Sequence, residues 1–339
     1  MSWVYDFTLF LVEAVIIVIA ILAVIGGIVS ITSKGPRHKN REHLDIHDLN
    51  EEYQQMALKM QSASLHAKAF KSALKSHKKQ QKLKRKTAPE KRLFVLDFKG
   101  DIRASKVASL RREVDAVLLA AEPDDEVLLR LESPGGVVHG YGLAASQLYR
   151  FREQNIRLTV AVDKVAASGG YLMACVADQI VAAPFAIIGS IGVVAQLPNF
   201  NRLLKSHNID YEQFTAGEYK RTITLFGENT EKARSKMREE LQQTHDLFKD
   251  YITRCRPIVD IDQVATGEHW FASQAIEFKL VDKLQTSDSF LLDQHQQSTL
   301  IGVQYTIKPP LQERLGNLAQ ALLERFQGTG DERQQSRLP

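Results

Sequence analysis

The chain has 339 residues, with 44% hydrophobic and 25% charged side chains, a balance that excludes a disordered or low-complexity polymer. The net charge of +4 is small, yet the 44 Lys/Arg and 40 Asp/Glu are unevenly placed along the chain. Two cysteines, Cys175 and Cys255, give no disulfide framework and no thiolate metal spacing. No H-E-x-x-H, G-x-x-x-x-G-K-[ST] or clustered Cys/His set occurs, so neither a metal nor a cofactor is expected.

The chain opens on an apolar run. Residues 14–31 carry no charge over 18 positions, and such a helix spans about 27 Å, near the thickness of a hydrocarbon core. Phe7 to Val12 extend the run, so residues 7–31 are expected to form a transmembrane anchor. No Lys or Arg precedes the run and no A-x-A-like site closes it, which argues against a cleaved signal peptide. Lys34, Arg37, Lys39 and Arg41 follow directly. By the positive-inside tendency they favour a cytoplasmic C-terminal side, although long soluble domains translocate despite such charge.

Residues 34–90 read as a basic helical arm. Met56, Met60, Ala63, Ala67, Phe70 and Leu74 recur at helical spacing. From Lys59 to Lys86 there are ten Lys/Arg and no acidic residue. Without aromatic interleaving the charge favours solvation or anionic lipid headgroups over nucleic acid. Thr87-Ala88-Pro89 ends the arm.

A different rhythm follows. Strands are expected at 92–98, 127–133, 157–163, 179–184 and 187–194, with helices at 105–121, 140–151, 169–176 and 228–256 between and after them. Alternation of this kind predicts an α/β domain with a mainly parallel sheet. The apolar stretch 180–198 is interrupted by Pro184, Gly189 and Gly192 and reads as buried strands, not a second span. A turn, a helix and an exit strand are expected over 267–284. Leu311, Leu315, Leu318, Leu322 and Phe326 form an amphipathic stripe before a polar tail.

Three loops carry residue types suited to chemistry. Ser133-Pro134-Gly135-Gly136 follows the strand at 127–133, and paired glycines there can aim backbone N–H groups at developing negative charge. Taken alone, the same residues make an ordinary tight turn. Ser168, within Ala166-Ala167-Ser168-Gly169-Gly170-Tyr171, stands at a strand-to-helix junction with small neighbours. It would serve equally as a nucleophile or as a helix N-cap. A serine nucleophile needs a base, and the ten histidines offer no clear one: His207, His245 and His269 sit in polar, surface-like contexts. Lys220, in Gly217-Glu218-Tyr219-Lys220-Arg221, is the other candidate. A lysine near its ordinary pKa of about 10.4 is almost wholly charged at neutral pH, and burial must lower that value by about three units before it can act.

These segments, with Ile188-Gly189-Ser190-Ile191-Gly192-Val193, together resemble the signal peptide peptidase A family of serine peptidases, family S49. Gly267, Trp270, Ala272, Gln274-Ala275 and Leu280-Val281-Asp282 are similar to its closing element. The span and arm resemble the N-terminal region of its SohB-type inner-membrane branch. The resemblance implies a ClpP/crotonase-like superhelical α/β domain over 91–290, with 34–90 as an N-terminal-type region of the family and 291–339 as an amphipathic helix and flexible tail. It implies Ser168 as nucleophile, Lys220 as general base and Ser190 as the residue orienting the lysine. Gly169 and either Gly135 or Gly136 would supply oxyanion N–H groups. Arg221 departs from the family, where an acidic residue commonly follows the lysine.

The expected function is a membrane-anchored serine endopeptidase of the bacterial inner membrane. Its substrates would be signal peptides or membrane-associated polypeptides, its partners membrane lipid and other copies of itself, with no nucleic acid. Leu172, Val193, Val194 and Leu225 are expected to wall the substrate cleft. The competing readings are a crotonase-type acyl-CoA enzyme and a catalytically idle membrane scaffold.

Overall fold

The computed structural model describes residues 42–66, 68–72, 74–76 and 91–307. The expected anchor at 7–31 and the amphipathic stripe at 311–326 lie outside them. No helix among the described residues is long and apolar enough to cross a membrane.

Residues Leu44–Tyr305 form one compact unit. The leading elements are β1 (His43–Asp48) and α1 (Leu49–Ser64), followed by β2 (Arg92–Lys99), α2 (Val107–Ala120), β3 (Glu126–Glu132), α3 (Val138–Glu153) and β4 (Arg157–Val162). The short β5 (Val165–Ala167) leads into α4 (Gly169–Ala174), then β6 (Gln179–Ala182) and β7 (Ile187–Gly189). Next come α5 (Asn201–Ser206), the long α6 (Glu231–Cys255), α7 (Ile261–Val264), β8 (His269–Phe271) and α8 (Ala272–Ala275). The described chain ends with β9 (Lys283–Leu284), α9 (Ser287–Gln294) and β10 (Thr299–Thr306).

The main sheet has the order β1-β10-β2-β3-β4-β6-β9, and β10, β2, β3, β4, β6 and β9 pair in parallel. Its central strands β2, β3, β4 and β6 are buried on both faces. Phe94, Leu96 and Phe98 of β2 pack into the larger core with Leu110 and Val114 of α2 and Leu148 of α3. The alternate Leu93 and Val95 turn the other way, toward Phe290 and Leu291 of α9 and the flanking Leu49 and Tyr53 of α1. This two-sided cover explains the near-continuous apolar runs of the sequence.

Three parts of the architecture differ from the sequence expectation. The arm contains β1 ahead of its helix, and Met56 and Met60 of the supposed stripe are exposed, while Asn50 is buried. Asn50 bonds the carbonyls of His295 and Ser298 and receives the Leu300 N–H, so a polar residue docks this helix. The strand expected at 187–194 stops at Gly189, because Ser190 turns to positive φ. Finally, β10 adds to the sheet beside β2, in a region where no strand was expected.

Glu113 of α2 is only 3% exposed and accepts the Tyr305 N–H of β10 at 2.8 Å. Burial raises its pKa to about 7, and the Tyr305 bond offsets only part of that. The folded state therefore holds a proton that the unfolded chain, with a Glu pKa of 4.5, gives up. Its contribution to stability is full below that value and is lost as pH rises through 7. We expect Glu113→Gln, which keeps the acceptor, to stabilise the protein by roughly 2–3 kcal/mol at pH 8, with the gain shrinking steadily toward pH 4.5. Melting temperatures of both proteins across that range test this, and a gain independent of pH would refute it.

Candidate active site

A second, three-stranded sheet builds the site. β5 pairs with β7 in parallel, and β7 pairs with β8 antiparallel. The register sets Ala167 opposite Gly189, the last residues of their strands. The next residues, Ser168 and Ser190, therefore leave the same end of the sheet on neighbouring strands, which lie about 4.8 Å apart. Both turn sharply at positive φ, 51° for Ser168 and 52° for Ser190. The Ser168 N–H donates to the Gly189 carbonyl at 2.8 Å, and the Ser190 N–H to the Glu268 carbonyl at 2.6 Å.

Ser168 occupies the N-cap position of α4, yet its hydroxyl makes no cap bond there. That separates it from the capping serines the sequence also allowed. The backbone takes the unusual turn and the side chain is left to face a cleft of about 1180 Å³. Lining this cleft with it are Pro134, Gly135, Gly136, Gly169 and Ser190.

The glycine strap is placed by a buried polar chain. The Gly135 N–H donates to Ser133 Oγ (3.1 Å), Ser133 Oγ–H to the Tyr141 hydroxyl (2.7 Å), and Tyr141 to the Asp101 carbonyl (2.8 Å). Ser133 and Tyr141 are fully buried, and burial pushes the Tyr141 phenol pKa up, so it remains a donor. Ser133 also ties the strap to β5, giving its N–H to Val165 and taking the Ala167 N–H. At Gly135 φ is +93°, and a Cβ would stand 2.8 Å from both the Ala167 carbonyl oxygen and Ser168 Cβ. Only glycine fits there. The N–H groups of Gly136 and Gly169 have no acceptor among the described residues, whereas that of Gly135 is spent on Ser133.

The opposite wall is α6, whose Leu241, Thr244, His245, Phe248 and Tyr251 recur at helical spacing along the cleft. Sequence reasoning placed His245 on the surface, but it lines the cleft, with Nε2 buried and lacking a hydrogen-bond partner, as does the Tyr251 hydroxyl. The available signal was the weak apolar spacing of a mostly polar helix. Ser133 and Tyr141 were missed as a network because one hydroxyl and one phenol eight residues apart carry no motif. Of the expected wall residues, Leu172, Val193 and Val194 line the cleft and Leu225 is not among its lining.

Lys220 is not brought to the cleft. It is exposed, in a turn closed by its N–H on the Gly217 carbonyl (3.2 Å), within a stretch of exposed chain from 207 to 221. Ser168, Ser190 and the three glycines thus converge, and Lys220 stands apart from them. No cluster of three or more His, Cys, Asp or Glu suited to a metal occurs among the described residues.

A parallel α/β domain that presents an uncapped, strained serine beside free backbone N–H groups has the form of a serine-type hydrolase. Family comparisons carry this further. Residues 2–148 match the model of the peptidase family S49 N-terminal region, and residues 150–300 match that of peptidase family S49. The chain is 48% identical over 328 residues to a probable protease SohB of Haemophilus influenzae, covering 92% of each protein. A probable protease SohB of Buchnera aphidicola subsp. Acyrthosiphon pisum is 59% identical over 70% of this chain and 72% of its own. That of Buchnera aphidicola subsp. Schlechtendalia chinensis is 50% identical over 86% and 99%. The chain belongs to peptidase family S49 and is a serine-type peptidase.

We expect Gly135→Ala to cost about 1–3 kcal/mol, from positive-φ strain and the clash with Ala167 and Ser168. It should depress peptide hydrolysis more than that loss of folded protein explains. Melting curves and kcat/KM on the same preparation decide it, and wild-type values in both would overturn this account of the strap.

Proposed function

We propose that the chain is a membrane-anchored serine endopeptidase in which Ser168 attacks a peptide carbonyl and Lys220 takes its proton. The observation that carries this reading is the Ser168 hydroxyl at a strained turn, free of a capping bond and flanked by N–H groups that find no acceptor among the described residues. In the proposed mechanism, Ser168 Oγ adds to the carbonyl carbon as its proton passes to Lys220 Nζ. The resulting oxyanion takes hydrogen bonds from the N–H groups of Gly169 and Gly136, the pair left open once Gly135 is committed to Ser133. Lys220 then returns the proton to the departing amine, and water cleaves the acyl-enzyme by the same route in reverse. Ser190, leaving the sheet beside Ser168, accepts a hydrogen bond from the lysine and fixes its direction.

For this chemistry the exposed segment carrying Lys220 must close over a serine cleft, that of its own chain or of a second copy. Closure also expels water from around the reacting groups. The apolar stretch 7–31 anchors the chain, and the basic residues behind it meet anionic headgroups. Substrates on this reading are extended, largely apolar polypeptides near the membrane, signal peptides among them, lying between Leu172 and Val193 on one side and Leu241 and Phe248 on the other.

Hydrolysis of an apolar fluorogenic peptide by the detergent-solubilised full chain provides the test. We expect Ser168→Ala and Lys220→Ala each to lower kcat by about a thousandfold or more, and Ser190→Ala to do so by a smaller factor. Activity retained in both of the first two would sink the dyad. If Ser168→Ala and Lys220→Ala chains regain activity when mixed as one oligomer, the lysine comes from a second copy. If they do not, it closes within its own chain. Tight binding of a CoA thioester without peptide hydrolysis would instead favour the acyl-CoA reading.

A further inference from the structure

One glycine of the cleft is explained neither by a turn nor by packing. Gly142 lies inside α3, in helical backbone, where glycine costs helix stability relative to alanine. A Cβ built there would meet nothing within 4 Å. Every other described glycine either turns at positive φ or would bring a Cβ to 3.4 Å or less from a neighbour. In the same helix, Gly140 is required by Ala104, whose Cβ would stand 2.9 Å away. The fold therefore asks for no glycine at 142. The space that a side chain would take there opens onto the cleft, which Gly142 lines.

That opening adjoins the turn that carries Ser168. The residue before it, Tyr141, packs directly on Gly169: a Cβ on Gly169 would fall 2.7 Å from the Tyr141 Cβ. One turn further along α3, Ala145 and Ser146 also line the cleft. The Ser146 hydroxyl donates back to the Gly142 carbonyl at 2.9 Å, so its proton is spent within its own helix. Leu172, one turn into α4 from Ser168, and Leu241 and Phe248 of α6 supply apolar surface to the same cleft. Short side chains on α3 thus stand in a cleft whose other helices contribute long ones, and the free volume lies on the α3 side.

We propose that the opening at Gly142 is a side-chain pocket beside the scissile bond, that it takes a bulky apolar side chain such as leucine or phenylalanine, and that Gly142 sets its depth. The side chain nearest the attacked carbonyl is the one the opening can reach, because α3 touches the Ser168–Gly169 turn at Tyr141. Each further methylene buried there favours the larger side chain by about fourfold. A charged side chain would lose its water and gain no partner in return. Any larger residue at 142 would occupy the pocket itself and shift the preference toward small substrate side chains.

The pocket's role in selectivity rests on the peptidase reading, and the test separates the two. Peptides identical but for Ala, Leu or Phe at one position are hydrolysed by the detergent-solubilised full chain, and product masses locate the cleaved bond. We expect the wild type to prefer Leu and Phe over Ala beside that bond by about tenfold or more in kcat/KM. Gly142→Leu should cut that preference by about tenfold, mostly through KM, and Gly142→Ala should fall between. Both substitutions remove a helix glycine, so both should melt at or above the wild-type temperature, which separates selectivity from unfolding. The same peptides, fluorescently labelled, are titrated into the Ser168→Ala chain with and without Gly142→Leu. The same change in preference is expected there without chemistry. A preference that Gly142→Leu leaves unchanged overturns the pocket, as does an equal loss on all three peptides or no preference in either assay. If the wild type cleaves no peptide, yet the Ser168→Ala chain binds Leu and Phe peptides over Ala and Gly142→Leu removes that, the pocket stands and the peptidase mechanism falls.

Discussion

The left-handed turn at Ser168 is the constraint on which the site depends. A serine at φ 51° costs on the order of 1–3 kcal/mol and persists only where its surroundings fix it. Here its N–H is held by the Gly189 carbonyl, its carbonyl takes the Leu172 N–H of α4, and the preceding Ala167 N–H is held by Ser133. The parallel pairing of β5 with β7 therefore stabilises the strain, and the hydroxyl is left without a capping duty. Were the turn to relax into an ordinary N-cap, the oxygen would bond its own helix and the Gly169 N–H would lose its opening onto the cleft.

The same sheet explains why a serine on the neighbouring strand matters. Ser190 leaves β7 at nearly the same φ as Ser168 leaves β5, and its N–H is fixed by Glu268 just before β8. Behind them, the chain from Asp101 through Tyr141 and Ser133 to Gly135 is fully satisfied at each link, so it positions the strap without leaving a buried polar group unpaired. The strap is thereby aligned from the large hydrophobic core, through Tyr141, and not from the surface.

Much of this was legible in the sequence because parallel strands buried on both faces announce themselves as short apolar runs. β2, β3, β4 and β6 fall where those runs stand, and the glycine-flanked Ser133, Ser168 and Ser190 lie at the strand ends their neighbours implied. What was hidden is what burial does not mark. β1 reads HLDIHD and is largely exposed, so its sequence carries no core signature. The α6 wall is a polar helix whose inward face emerges only when the fold supplies something to face. On the proposed reading, the choice between Gly135 and Gly136 turns on one hydrogen bond to a serine side chain, which adjacent identical residues cannot reveal.

The position of Lys220 follows from the same physics that hides it. A lysine serves as a base only when water is removed from it, and a surface turn does not remove water. The segment around it is nevertheless rich in exposed apolar side chains: Phe214 is 89% exposed, and Ile209, Tyr211 and Tyr219 are also open. Such a surface costs free energy while it faces solvent and regains it on contact. On the proposed reading the lysine and the apolar material needed to dry it travel together, so the contact that covers Phe214 and Tyr219 would also create the base. Catalysis would then be conditional on that closure, with the strained serine waiting in a finished cleft and the amine arriving with its own solvent-excluding surround.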